Sequence, residues 1–136
     1  SDAAAIAALR KAAEAEGAQV KIVAPKIGGA KLGNGKRLPA DGQLAGTPSV
    51  VFDAVALVLS DAAGKALASE AAAVDWVRDA FGHLKAIAHD DGASAVIQAA
   101  GIGKDAGVVK VLETAAFIKA ARTRQFAREP KVRTLP

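Results

Sequence analysis

Three consecutive polar residues, His89, Asp90 and Asp91, carry the side chains of this sequence that are best suited to chemistry. They follow an apolar segment that is predicted to be a strand, and parallel sheets bind ligands at the carboxyl ends of their strands. A carboxylate pair beside an imidazole can hold a divalent cation or act as a general acid and base. Asp61 follows another predicted strand and is expected to line the same crevice. These four residues form the candidate ligand site.

A second interpretation of the same segment is structural. A carboxylate just before a helix accepts hydrogen bonds from free backbone N–H groups, so Asp90 or Asp91 can cap the helix that follows. His89 is then an ordinary loop residue. Ser94 would complete a Ser-His-Asp set, but the G-x-S-x-G turn of such hydrolases is missing. The glycines within residues 28–35 match no phosphate-binding motif and are predicted to lie in turns.

The residue types that are missing exclude several kinds of site. The 136 residues include no cysteine, methionine or tyrosine, and only two histidines, His83 and His89. The chain therefore has no thiolate nucleophile, no disulfide, no zinc–thiolate site and no Met or Tyr ligand for haem. About a quarter of the residues are alanine, which favours close packing of helices on a sheet.

The formal charge of +4 is concentrated at one end of the chain. Residues 119–136 contain six Lys or Arg residues and one acid, Glu129, whereas the rest of the chain is nearly balanced. Nucleic-acid-binding domains usually spread basic residues over a face that also carries aromatic side chains. No segment is suited to span a bilayer and no leader opens the sequence. We therefore expect no nucleic-acid partner, no membrane association and a cytoplasmic location.

Helices and strands are predicted to alternate along residues 1–126, and residues 127–136 are predicted to form an extended basic tail. The first helix runs to about Glu16, with Gly17 just after its end. A strand over 20–24 and a hairpin around Asn34-Gly35 follow. The remaining predictions are a strand over 54–59, a loop over 60–64, a helix over 69–84, a strand over 85–88, a helix ending at Gly101, a strand over 108–112 and a helix over 114–126.

This alternation predicts an α/β fold with a doubly wound, mostly parallel sheet and a small hairpin excursion. The sequence opens with a helix, although the first strand of the flavodoxin-like order 2-1-3-4-5 is interior to the sheet. We therefore expect that first strand to be missing and its place in the sheet to need another solution. A strand from upstream residues, a strand from another molecule or a rearranged strand order would each supply one.

Five longer motifs carry a resemblance to a known family. They are AAAIAALRKAAEAEGAQVKIVAPKIG, NGKRLPADGQL, TPSVVFDAVALV, HLKAIA and AAFIKAARTRQFAREPK. Together they resemble the carboxy-terminal domain of large-subunit haem catalases over essentially the whole chain. That domain is similar in turn to the class I glutamine amidotransferase-like superfamily, which includes the PfpI proteases and has a flavodoxin-like fold.

The resemblance implies a catalytically silent domain. Hydrolases of the superfamily place a cysteine at the turn that is 89–92 here, and a glutamate near Ala5 or Ile6, and this chain has neither residue at those places. The alternative is a stand-alone amidotransferase-like hydrolase or small-molecule binder that uses His89, Asp90 and Asp91. The lack of cysteine argues against the hydrolase.

The resemblance also implies the partners and the cofactor. The parent enzyme would dismutate hydrogen peroxide to water and oxygen, with its haem and haem ligands in an upstream region and no cofactor in this segment. The partners would be the upstream catalase core and the other subunits of a homo-tetramer. Within that assembly the domain would have a structural, stabilising or folding role.

Overall fold

A computed structural model of the chain describes residues 3–24, 30–31, 37–38, 41–47, 49, 52–102, 105 and 107–121. These residues form an α/β fold in which helices lie on both faces of a parallel sheet. None of the helices in these ranges combines the length and the apolar character needed to cross a bilayer. The predicted basic tail, 127–136, lies outside the described residues.

The first helix, α1, spans Ala3–Ala15 and ends as the sequence predicts. Gly17 adopts a left-handed backbone with φ of 80°. The N–H of Gly17 donates to the carbonyl of Glu14, and the N–H of Ala18 donates to that of Ala13, both at 3.0 Å. These are the paired bonds of a Schellman motif, and they satisfy carbonyls that the helix leaves free.

Two short strand pairs follow α1. Strand β1 (Val23–Ala24) pairs in parallel with β4 (Gly42–Gln43), which the sequence analysis did not predict. Between them, β2 (Ala30–Lys31) and β3 (Arg37–Leu38) pair antiparallel and confirm the predicted hairpin. The turn residues Asn34-Gly35 lie outside the described part of the chain. A 3₁₀ turn at Leu44–Gly46 comes directly after β4.

The main sheet is parallel and has the order β5-β6-β7 among the described strands. Strand β5 is Ala54–Leu57, β6 is Ala86–His89 and β7 is Val108–Lys110. Leu57 is in register with His89, so the carboxyl ends of β5 and β6 lie side by side. All four residues of β6 are buried, as expected for a central strand covered on both faces.

The described residues contain four further α-helices: α2 (Asp61–Leu67), α3 (Ala71–Gly82), α4 (Ser94–Ala100) and α5 (Thr114–Ala121). The prediction of a loop over 60–64 is wrong, because α2 begins there. Ser60 caps this helix, since its Oγ accepts a hydrogen bond from the N–H of Ala63 at 3.1 Å. The helix predicted over 69–84 is confirmed but shorter.

The core has two parts, one on each face of the main sheet. Side chains of β6 alternate between them, because successive strand residues point to opposite faces. Ile87 packs among α2, α3 and α4 with Val55, Val77, Phe81, Val96 and Ile97. Ala86 and Ala88 pack on the other face with Val111, Phe117 and the half-buried Leu9 of α1. The helices thus lie on both faces, which confirms the doubly wound, flavodoxin-like α/β prediction.

Candidate functional site

The candidate site lies at the carboxyl ends of β5 and β6. Because Leu57 is in register with His89, residues 58–61 and 89–91 leave the sheet next to each other. This is the edge at which the sequence analysis expected Asp61, His89, Asp90 and Asp91 to meet. Three of the four are adjacent in sequence, so the arrangement depends on the direction each side chain takes.

Asp90 joins the ends of the two strands. Its Oδ2 accepts a hydrogen bond from the N–H of Leu59 at 3.0 Å, and its Oδ1 accepts one from the N–H of Ala93 at 3.0 Å. The N–H of Asp90 donates to the carbonyl of Leu57 at 3.1 Å. The carboxyl group therefore caps the turn Asp91–Ala93 and also holds the segment after β5. Of the two residues proposed as caps, the structure selects Asp90.

The environment of Asp90 raises the pKa of its carboxyl group above the usual value. Burial is the largest cause, because removing a carboxylate from water disfavours its charged form. The bonds from Leu59 and Ala93 and the nearby His89 oppose burial, because each favours the charged form. The group therefore retains its proton to a higher pH than a solvated aspartate does.

His89 is the last residue of β6 and is buried, with 8% of its surface exposed. The alternative that made it a loop residue is therefore wrong. Its Nδ1 donates to the carbonyl oxygen of Asp90 at 3.3 Å, and its own carbonyl accepts from the N–H of Val111 at 2.8 Å. The bond from Val111 holds His89 within the sheet.

Asp61 and Asp91 are exposed, and each lies in the first turn of a short helical segment. A negative charge at that place is favourable, because the free N–H groups give the start of a helix a partial positive charge. Among the described residues, no three His, Asp or Glu side chains come together in a group that could hold a metal ion. A ligand role for the four candidates stays a prediction.

Two glycines bring the backbones at this edge into close contact. A Cβ on Gly64 of α2 would overlap the carbonyl oxygen of Gly92, and a Cβ on Gly92 would overlap that of Leu59. Gly92 follows Asp91 directly, so helix α2 packs against the turn that Asp90 caps. The region between the two strand ends is filled by backbone at these points.

Ser94, the remaining nucleophile candidate, is exposed and is the first residue of α4. The hydrogen bond described for the His89 ring runs to the carbonyl of Asp90 and not to Ser94. A nucleophilic serine needs a base within hydrogen-bond reach to remove its proton. The described contacts therefore do not form a Ser-His-Asp triad.

A second polar cluster, which was not predicted from the sequence, joins Thr47 and Ser49 to α3. Trp76 Nε1 donates to the carbonyl of Thr47 at 2.8 Å. Ser49 Oγ donates to the carbonyl of Trp76 at 2.6 Å, and Ser49 is fully buried. Both Thr47 and Ser49 belong to the TPSVVFDAV motif. Local sequence carries no signal for this cluster, because its hydrogen bonds join residues that are almost 30 positions apart.

Comparisons with known proteins identify the family of this chain. The sequence profile of a family described as the C-terminal domain found in long catalases matches residues 1–126. Catalase C of Rhizobium meliloti is 38% identical over an alignment of 138 positions, which covers 97% of this chain and 20% of that protein. Catalase HPII of Pseudomonas aeruginosa is 34% identical over 74% of this chain and 14% of that protein. Catalase-B of Dictyostelium discoideum is 30% identical over 90% of this chain and 19% of that protein.

The chain therefore spans a fifth or less of the length of these relatives. The family match covers residues 1–126 and therefore includes all the strands and helices described above. The resemblance carried by the sequence motifs is confirmed, and the chain belongs to the family of C-terminal domains found in long catalases.

Proposed function

We propose that this chain is a non-catalytic accessory domain of a longer haem catalase, which dismutates hydrogen peroxide to water and oxygen. The observation that carries the proposal is the use of Asp90, whose two carboxyl oxygens both accept backbone N–H bonds. The strand edge where related folds bind ligands is here held together by that residue. The cysteine that the superfamily's hydrolases need at this turn is not in the sequence.

The residues of this chain do not fit a haem of their own. Catalases bind the haem iron through tyrosine, and other haem proteins use cysteine, methionine or histidine. The first three are missing from the sequence. Of the two histidines, His89 is buried with its ring bonded to a backbone carbonyl, and His83 is exposed at the end of α3. The haem of the parent enzyme therefore belongs to another part of the polypeptide.

The proposed role of the domain is to stabilise the catalase or to assist its folding. Its partners would be the catalase core and the other subunits of a homo-tetramer. A folded α/β domain attached to an enzyme can slow unfolding of the whole assembly without taking part in chemistry. The unfolding rate falls because the domain adds interactions that stabilise the native state more than the transition state for unfolding.

The test compares the full-length polypeptide, the same polypeptide without residues 1–136 and the isolated chain. We expect the isolated chain to show no haem absorbance and to release no oxygen from peroxide. Removing the domain should leave the rate per haem unchanged and shorten the half-life of activity on heating. Oxygen release by the isolated chain, or peptide or ester hydrolysis that His89→Ala abolishes, would contradict the proposal. An unchanged half-life would contradict the stabilising role.

A further inference from the structure

Two Asp-Gly pairs with different surroundings lie in the described residues, Asp41-Gly42 and Asp91-Gly92. In such a pair the backbone nitrogen of the glycine can attack the side-chain carboxyl carbon, Cγ, of the aspartate before it. Glycine favours the attack, because it has no Cβ to crowd the new bond and its backbone rotates freely. The attack also needs a carboxyl group and an N–H that hydrogen bonds do not hold in place.

The first pair, Asp41-Gly42, is held by hydrogen bonds to β1 and the residue before it. Oδ2 of Asp41 accepts a hydrogen bond from the N–H of Ile22 at 2.6 Å. The carbonyl of Ile22 accepts from the N–H of Asp41 at 2.7 Å and from the N–H of Gly42 at 3.1 Å. The carboxyl group and the glycine nitrogen are therefore both engaged, and each must break a bond before the two can meet.

The second pair, Asp91-Gly92, lies in the turn after β6 and has neither restraint. Asp91 is exposed, and its carboxyl group makes no hydrogen bond or ion pair with the described residues. The N–H of Gly92 likewise has no acceptor within the described ranges. The reason lies in the cap that precedes the pair. The two carboxyl oxygens of Asp90 accept from Leu59 and Ala93, which leaves the N–H of Gly92 among the free groups at the start of a helical turn.

We propose that Asp91-Gly92 is a site of spontaneous isoaspartate formation in the folded protein. The nitrogen of Gly92 forms a bond to Cγ of Asp91. The amide proton and the hydroxyl of the protonated carboxyl group leave as water, which gives a five-membered cyclic imide. Water then adds to the imide and breaks one of two C–N bonds. Breaking the bond to Cγ restores aspartate, whereas breaking the bond to the main-chain carbonyl carbon leaves isoaspartate.

Isoaspartate at position 91 changes the packing of this turn. The main chain then runs through Cβ and Cγ and is one atom longer between residues 91 and 92. Gly92 has no room to move, because a Cβ on it would overlap the carbonyl oxygen of Leu59. Its own carbonyl oxygen lies where a Cβ on Gly64 of α2 would be. The longer chain therefore separates the turn from α2 or from the segment after β5, and the close packing at this edge is lost.

The test incubates the full chain at neutral pH and body temperature and maps isoaspartate by mass spectrometry. Trypsin places the two pairs in separate peptides, residues 38–65 and 86–104. Electron-transfer fragmentation locates isoaspartate at a single residue, so it distinguishes Asp91 from Asp90. The same incubation in guanidinium chloride gives the rate of each pair in the unfolded chain.

In guanidinium chloride the two pairs should react at similar rates. Relative to those rates, folding should slow Asp41-Gly42 at least about fivefold more than Asp91-Gly92, because its carboxyl group and its N–H must first leave their hydrogen bonds. Equal slowing of the two pairs by folding would overturn the inference. Faster isoaspartate formation at Asp41 than at Asp91 in the folded chain would overturn it as well.

Asp91→Glu is the matched control. It keeps the negative charge in the first turn of the helical segment, but its carboxyl carbon is one bond further from the nitrogen, and the six-membered ring that would form closes more slowly. This variant should accumulate no isoaspartate at position 91 and little in the peptide 86–104. As much isoaspartate in that peptide as in the wild type would place the reaction at Asp90 and overturn the proposal.

Pulse proteolysis of a partly converted sample tests the effect on packing. Molecules with isoaspartate at position 91 should be enriched at least about twofold in the fraction that is digested at intermediate urea, because their native state is less stable. Equal isoaspartate in the digested and surviving fractions would contradict the loss of packing. Both measurements use this chain alone, so their outcome does not depend on the catalase assignment.

Discussion

Asp90 and Leu59 are 31 residues apart in sequence, yet the carboxyl group of Asp90 accepts a hydrogen bond from the backbone N–H of Leu59 at 3.0 Å. The same side chain caps the turn Asp91–Ala93. One residue therefore fixes the relative position of the segments that leave β5 and β6. Many parallel sheets bind ligands at the carboxyl ends of neighbouring strands. Here the carboxyl group of Asp90 at that position accepts hydrogen bonds from the backbone instead.

Asp90→Ala should destabilise the fold. The change leaves the N–H groups of Leu59 and Ala93 without their acceptor, and each lost partner of a part-buried group costs about 1–3 kcal/mol. Asp91→Ala is the matched control, because Asp91 is the exposed neighbour. Its free energy of unfolding should change by less than about 0.5 kcal/mol. Urea denaturation of both variants measures the difference, and equal effects would show that Asp90 does not hold the two strands.

The raised pKa of Asp90 gives stability a defined dependence on pH. The folded state binds this proton more tightly than the unfolded chain, in which the pKa is near the usual 3.8. The stabilisation that comes from binding this proton is therefore fully present below the pKa of the unfolded chain. It is lost as the pH rises through the pKa of the folded state. The asparagine of Asp90→Asn does not titrate, so the variant lacks this dependence.

The free energy of unfolding of the wild type, minus that of Asp90→Asn, should therefore decrease from pH 3.5 to pH 7. Replacing the carboxyl group by an amide also alters the hydrogen bonds. That effect is the same at every pH, so it does not contribute to the change of the difference with pH. Urea denaturation of both proteins across this range is the measurement. A difference that increases with pH would mean that the hydrogen bonds to Asp90 outweigh its burial.

Gly17 and Gly82 provide a test of backbone conformation at two sites with open space. A Cβ would meet nothing within 4 Å at either position, but only Gly17 has a positive φ, +80°. Gly17→Ala should cost about 1–2 kcal/mol, because an L-residue is strained in the left-handed region. Gly82→Ala, at the end of α3, should be neutral or stabilise by up to about 1 kcal/mol. Urea denaturation should therefore show Gly17→Ala to be less stable than Gly82→Ala by at least about 1 kcal/mol, and equal effects would contradict the role of φ.

Gly64 tests the close packing between α2 and the turn after β6. Alanine is normally favoured over glycine inside a helix. At this position, however, its Cβ would overlap the backbone oxygen of Gly92, which cannot move without disturbing the turn. Gly64→Ala should therefore destabilise by about 1–3 kcal/mol, in contrast to Gly82→Ala. A stabilised Gly64→Ala would show that the two backbones have room to separate.

The parts of the fold that local sequence determines were predicted, and the parts that depend on distant contacts were not. The main sheet, α3 and the left-handed Gly17 follow from apolar periodicity and glycine placement. Helix α2 has only seven residues and packs through Gly64 against a turn almost 30 residues away, so its sequence resembles a loop. Helix α3 ends at Gly82, before the predicted end at residue 84, because Leu84 adopts a φ of 63°. Residues other than glycine seldom adopt such a φ, so local sequence does not predict it.

At the candidate site, too, local sequence predicted where the residues lie but not which distant groups they contact. The sequence placed His89, Asp90 and Asp91 at the end of a strand, and it left capping and ligand binding as alternatives for the aspartates. Choosing between them required the position of the Leu59 N–H, which the pairing of β5 with β6 determines. Among the described strands, β1 pairs with β4 and the main sheet has the order β5-β6-β7, and the missing first strand stays a prediction.

The contact between Ser49 and Trp76 supports a last prediction. Ser49 is fully buried, and its hydroxyl donates to the Trp76 carbonyl at 2.6 Å, while the indole N–H donates back to Thr47. Ser49→Ala removes one hydrogen bond of this reciprocal pair and should lower the free energy of unfolding by about 1 kcal/mol. Ser69→Ala is the control, because Ser69 is an exposed serine between α2 and α3.

Trp76 is the single tryptophan of the chain, so its fluorescence reports this contact directly. Loss of the Ser49 hydrogen bond should loosen the contact between Thr47 and the indole and expose the indole to water. The emission of Ser49→Ala should therefore shift to longer wavelength, whereas Ser69→Ala should leave the emission unchanged. Trp76 and Ser49 act in one network, so the costs of Trp76→Phe and Ser49→Ala should not add. A coupling of at least about 0.5 kcal/mol in the double-mutant cycle is expected. Strict additivity would mean that each hydrogen bond forms without the other.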